Sequence, residues 1–210
     1  IISPKFFSVD VFRDIMMQSS VRIVMALGCM FIIISGSADL SGGRMLGLAS
    51  LVAGSLAQRL DAPIKFWPNI PEVPFFVPVL AAIIIGGMFG AFNGWTVSKL
   101  KVPAFLATLG SQMIIFGAAS LFFNKSPNNS QPLGAFTKGF SNFGSGSILN
   151  IPYIVIIALS CMLAVWMLQT KTVLGKEIFA VGGNIESARV SGINIFKIQM
   201  LTFIIAGAFY

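Results

Sequence analysis

Phe76–Ser98 is a run of 23 residues without a charged side chain, and 102–123 is another. Wound as helix at 1.5 Å per residue, each run is about 33–35 Å long, enough to cross a hydrocarbon layer with some tilt. Shorter uncharged runs cover 23–38, 45–58 and 151–170, and one more begins at 198. Charged residues make up only 10% of the chain, whereas a soluble domain has about 25%. That is too little polar surface to cover a soluble core. The chain is therefore read as lipid-embedded.

The charges that do occur mark where the runs end. The expected architecture is an all-α polytopic transmembrane helix bundle. Near-complete spans are expected at about 21–38, 43–59, 76–98, 102–123 and 151–170, with a sixth starting at 198–210. The mixed stretch 1–20, with Lys5, Asp10, Arg13 and Asp14 among Phe6, Phe7 and Phe12, fits a short amphipathic helix at the interface. Asp39-Leu40-Ser41-Gly42-Gly43-Arg44 breaks the apolar pattern, either as a turn between two tilted helices, the favoured reading, or within one discontinuous element. A break of this kind must be buried in protein or face water. Segment 59–75 has four prolines by Pro74 and Trp67 as an interfacial anchor, so it is a loop. The Asn/Ser/Gly/Pro-rich segment 124–150 is a second loop, with a short re-entrant piece around 136–143. Ile1 opens the chain in place of methionine and Tyr210 closes it inside an apolar run, so a longer parent protein is expected.

Several chemistries are excluded. Without histidine there is no His-based triad and no His–zinc site. Cys29 and Cys161 sit in separate apolar runs and read as small core residues. The +7 net charge comes from scattered residues that form no groove for nucleic acid. Charge counting leaves orientation tied. With 171–197 inside, seven basic residues lie on each side, Arg44 being counted inside with the 39–44 turn.

Gly86, Gly90 and Gly94 recur on one face of the 76–98 run, and Gly43 and Gly47 repeat the spacing. Such stripes let a second helix backbone approach closely. Asn93, Ser98, Thr108, Ser111 and Gln112 are polar residues within apolar runs and should face the bundle interior. Asp39, Ser41, Asn93, Thr108 and Gln112 are candidates either for a translocation path for a polar neutral solute or for helix contacts. Both readings stay open. The long spans carry no carboxylate, and Asp39 beside the break is the only nearby acid, which weighs against an ion-coupled carrier.

The most ordered polar segment is Gly175-Lys176-Glu177-Ile178-Phe179-Ala180-Val181-Gly182-Gly183-Asn184-Ile185-Glu186-Ser187-Ala188-Arg189-Val190-Ser191-Gly192-Ile193. Asn184 is placed to cap a short helix, with Glu186 early and Arg189 late as the helix dipole prefers, and Gly192 to end it. A short helix between spans at the bilayer surface is a natural docking element for a soluble partner. No G-x-x-x-x-G-K-[ST] string occurs, so any ATP hydrolysis belongs to another chain.

These residues resemble the bacterial ABC importer permeases of the simple-sugar group (ribose, galactose/methyl-galactoside, xylose, arabinose). Segment 175–193 is similar to their cytoplasmic coupling loop. Ser-Gly-Ser-Ala-Asp-Leu-Ser-Gly-Gly-Arg at 35–44 resembles their G-x-DLS-x-G signature, and 18–23 and 103–110 fall in the expected order. The Ser-Ser-Val-Arg-Ile string and Arg44 look closest to the galactose/methyl-galactoside branch. The resemblance implies a non-catalytic, multi-pass subunit of the bacterial inner membrane, corresponding to spans two through six and the start of seven of ten. It implies that Gly182, Gly183, Asn184, Glu186, Ala188, Arg189 and Gly192 contact an ATP-binding subunit, with 171–197 inside. The implied partners are that subunit, which would use ATP and Mg, a second permease copy, a periplasmic sugar-binding protein and membrane lipid. No cofactor is expected on this chain. The alternative is an ion-coupled secondary transporter of a small polar solute.

Overall fold

The computed structural model describes residues 8–210 and is a bundle of helices. In chain order these are α1 (Val9–Ile34), α2 (Gly42–Leu56), α3 (Phe76–Ser98), α4 (Ala104–Asn124), α5 (Lys138–Ser145), α6 (Tyr153–Lys171), α7 (Val173–Gly183), α8 (Ile185–Val190) and α9 (Ile195–Phe209). A two-stranded antiparallel ribbon, β1 (Ser147–Ile148) with β2 (Ile151–Pro152), leads into α6.

Among the described residues four helices, α1, α3, α4 and α6, are long and apolar enough to cross a membrane. The sequence reading counts five near-complete spans. The difference lies in α2, whose 15 residues reach only about 22 Å.

Three expectations change. The interfacial helix expected at 1–20 is not a separate element. From Val9 it runs without interruption into the span, because no proline or glycine intervenes before Gly28. Residues 1–7, including Lys5, Phe6 and Phe7, lie outside the described residues. The first span ends at Ile34 rather than 38, where Gly36 takes a left-handed φ of 75° and the chain turns. Segment 171–197 is not a polar connection with one short helix. It holds the 11-residue α7 as well as α8.

The chain reverses at the break. α1 ends near α7, and α2 runs back beside α3 and α4 to the opposite end, where Ala57 accepts a hydrogen bond from Thr137 N–H at 2.8 Å. There the 57–75 loop and the 124–152 segment cover one another. Phe66 stacks on Phe122 at 4.5 Å, Gln58 accepts from Phe66 N–H at 2.7 Å, and Phe75 meets Phe143 of α5 at 5.5 Å. The other end carries the Lys99–Lys101 turn, α7, α8 and the start of α9.

Two apolar cores share α1 and α9. One gathers Ile32, Met45, Val97, Ile115 and Phe203. The other gathers Phe31, Val165, Ile178, Val181, Ala188 and Ile198. α9 lies antiparallel on α3, with Gly86 against the Gly207 carbonyl, Gly90 against the Phe203 carbonyl, and Gly94 3.2 Å from the Met200 Cα measured from an added Cβ. Lipid supplies no hydrophobic drive for helix association, so contact area at close approach must hold this pair. Gly43 and Gly47, grouped with that stripe by spacing, behave otherwise. Among the described residues nothing packs within 4 Å of where their Cβ atoms would be.

The close approach sets a prediction. Gly90→Val should destabilise the intact protein by about 3 kcal/mol through overpacking. Gly87→Val, one turn face away with open space around it, should leave the melting temperature in mild detergent unchanged. Equal melting temperatures for the two variants would contradict the packing.

Candidate functional site

Two groups of residues stand out, and the α1–α2 break joins them. At the break, Asp39 accepts from the Ser41 backbone N–H at 2.7 Å and from the Ser41 hydroxyl at 2.6 Å. This turn holds the first residues of α2. Ser41 Oγ in turn accepts from Asn93 Nδ2 of α3 at 2.9 Å. Leu40 N–H donates to Thr108 Oγ1 of α4 at 3.2 Å, while that hydroxyl donates to Ala104 C=O at 2.8 Å. The Tyr210 ring lies 3.0 Å from where a Gly42 Cβ would be, beside the same turn.

Ser41, Asn93 and Thr108 are fully buried. Asn93 sits five residues before the end of α3 and Thr108 four after the start of α4, so the break lies about 6–8 Å inside the bundle. Unpaired backbone groups at that depth would be costly, and these side chains pair some of them. Of the path-or-contact candidates, Asp39, Ser41, Asn93 and Thr108 are thus drawn into one hydrogen-bonded node between helices. Gln112 is half-buried one turn beyond Thr108 and outside the node. Ser98 and Ser111 are buried and donate back to Gly94 and Thr108 carbonyls within their own helices.

The second group is the α7–α8 segment. Thr172 caps α7 by accepting from Gly175 N–H at 3.2 Å. Gly175 then lies directly on the backbone of Gln169, turning the chain sharply back over the end of α6. Ile178 and Val181 are fully buried against Phe31. Gly182 rests on the Ile34 carbonyl, with its Cα 3.7 Å from a Cβ placed on Gly36. The end of α7 therefore touches the break itself.

Asn184 caps α8 through Oδ1, which accepts from Ser187 N–H at 2.9 Å. Arg189 pairs with Glu186 at 2.8 Å, and Gly192 takes a φ of 83° after the helix. Gly183, Asn184, Glu186, Arg189 and Gly192 are exposed, while Ala188 turns inward with 3% exposure. Six of the candidate coupling residues thus divide into an outward face and one buried anchor, and Gly182 is a packing point.

Three features escape sequence reasoning. α7 is one, although Thr172 as a cap before Gly175 was its available signal. Gln169 is another, a residue with 5% exposure whose amide Oε1 and Nε2 have no partner among the described residues. Arg44 is the third. Counted with the inner flank by sequence, it instead extends along the bundle and sets its guanidinium 4.5 Å from the Phe116 ring centroid. Among the described residues no group of three or more His, Cys, Asp or Glu side chains gathers as metal ligands.

Residues 11–209 match the family described as branched-chain amino acid transport system / permease component. The galactose/methyl galactoside import permease protein MglC of Escherichia coli (strain K12) is 37% identical over 99% of this chain and 62% of its own length. MglC of Haemophilus influenzae is 36% identical over the same shares. The ribose import permease protein RbsC of Escherichia coli (strain K12) is 35% identical over 98% of this chain and 60% of its own. The chain thus spans somewhat over three-fifths of the length of these relatives. No solved structure matches it.

Removing the cross-helix bond at the break should be measurable. Thr108→Val takes away the acceptor for the part-buried Leu40 N–H and should destabilise the protein by about 1 kcal/mol. Thr108→Ser, which keeps the hydroxyl, should recover most of that stability in detergent melting. Full stability of the valine variant would argue against the node.

Proposed function

Because this chain belongs to the branched-chain amino acid transport system / permease component family, we propose that it is the membrane-spanning subunit of an ATP-driven importer of a monosaccharide. The similarity to import permeases named for galactose/methyl galactoside and for ribose supports the sugar. Galactose or a methyl galactoside is the favoured substrate. The four apolar helices and the family support a multi-pass protein of the bacterial inner membrane.

The observation that carries the coupling role is the α7–α8 segment. It presents an exposed capped helix on one side and seats Gly182 against the end of α1 on the other. A partner that pushes α8 therefore acts on the break, and through Asn93 and Thr108 on α3 and α4. In this reading an ATP-binding subunit, with its own ATP and Mg, docks on the outward residues. A periplasmic sugar-binding protein delivers substrate to the opposite end, and a second permease copy completes the path. This chain itself catalyses no reaction. Shifts of whole helices about the node would alternate access, because packed elements move between discrete arrangements.

An ion-coupled carrier is less well supported. Beyond residue 22 the four long helices hold no acidic residue, and the Asp39 carboxylate is already engaged by Ser41.

The importer reading expects an ATP-binding subunit to copurify with the complete permease in mild detergent. Gly183→Trp enters open space on the exposed face. It should leave the protein folded in the membrane yet abolish both sugar uptake and sugar-stimulated ATPase activity. Uptake at the normal rate in this variant, or uptake driven by an ion gradient without ATP, would overturn the proposal. Gly182→Trp should instead impair folding, because its side chain would collide with Ile34.

A further inference from the structure

Arg44 occupies a position that lipid does not tolerate. Its guanidinium lies over Phe116, which is 12 residues into α4 and so about 18 Å along a helix of about 31 Å. Arg44 is exposed, and among the described residues no carboxylate pairs with it. An exposed cation near the middle of a bilayer must face protein or a water-filled cavity. Beside it α2 and α4 form an open, mainly apolar groove of about 470 Å³, with Gly43, Gly47, Ser50, Phe116, Ser120 and Phe123 in its lining.

From this geometry we infer that the α2–α4 groove is a wetted sugar-contact site on the translocation path, with Arg44 and Phe116 as its recognition pair. The inference rests on the importer reading and assigns the path to residues other than the buried node. Its chemistry fits a neutral polyol. A planar guanidinium offers fixed donors to adjacent hydroxyls, and Phe123 and the edge of Phe116 border the groove where the C–H face of a pyranose would lie. Ser50 donates to Gly47 C=O at 2.9 Å, which leaves its oxygen free to accept. Phe116 already holds Arg44 by a cation–π contact, so the fork is oriented before substrate arrives. The bare edge is supplied by Gly43 and Gly47, on which nothing packs. A standing positive charge without a carboxylate disfavours cations in the same groove.

The test uses the intact permease assembled with its importer partners, with Cys29 and Cys161 replaced by serine. Ser50→Cys and Ser120→Cys should react with a charged, water-soluble methanethiosulfonate, and D-galactose should slow that reaction several-fold. Ile114→Cys, two residues from Phe116 and about 200° around α4, should stay unreactive. Among the described residues no atom lies within 4 Å of a Cβ added at Gly47, so Gly47→Val should keep its melting temperature while sugar uptake falls sharply. Arg44→Leu should lower uptake by about tenfold or more, as loss of charged hydrogen bonds to a substrate does. Groove cysteines that stay unreactive in a permease still importing sugar would overturn the inference. So would reaction that D-galactose leaves unchanged, or a Ser50→Cys disulfide between two copies, which would make the groove a subunit interface. Absence of ATP-dependent uptake by the unmodified permease would instead sink the importer reading.

Discussion

The contact between α3 and α9 is the constraint on which the rest of the bundle depends. Three glycines at four-residue spacing bring the α3 backbone onto the carbonyls of Gly207 and Phe203 and beside Met200. In lipid, apolar side chains gain nothing by leaving solvent for one another, so close backbone approach and van der Waals contact take the place of hydrophobic drive. α9 is then fixed, and its two faces serve two cores. Phe203 and Ala206 close the core with α2 and α4, while Ile195 and Ile198 close the one with α6, α7 and α8. A side chain in place of Gly90 would disturb both cores at once.

The break between α1 and α2 is the second organising feature, and its position explains its composition. Seven residues without regular structure lie level with the first turns of α4 and the last of α3, and side chains from those helices pair groups of this turn. Asp39, Ser41, Asn93 and Thr108 bind that turn to three helices. Gly182 reaches the same turn from the surface segment because its missing side chain admits the Ile34 carbonyl. The bundle interior and the exposed α7–α8 segment thus share one short irregular piece of chain.

How much of this was legible in the residues depended on the range of the force involved. The third span was readable to the residue, as Phe76–Ser98, because a loop precedes it, Lys99 follows it and nothing polar enough to shift its ends lies between. Asn184 as a cap and Gly192 as a stop were readable too, since both act within one turn. The extension of α1 back to Val9 was hidden, because scattered charges looked like an interface while the unbroken helical backbone was the stronger fact. α7 was hidden because its apolar side chains, Ile178 and Val181, are spaced among glycines and charges that resemble a loop. The polar residues posed a different difficulty. Their types predicted burial, but whether they meet one another or line a path depends on which helices are neighbours.

Local chemistry therefore determined the membrane setting, the ends of α3, the capped helix α8 and the family. Each follows from side chains within a few residues of one another. Only the tertiary structure decided that Gly86 and Gly90 meet α9 while Gly43 and Gly47 meet nothing. It also decided that Asp39 belongs to a hydrogen-bonded node between helices, and that Arg44 points along the bundle to Phe116. Identical spacing and identical residue types gave opposite outcomes because helix packing is a property of pairs of faces, and a sequence specifies each face without naming its partner.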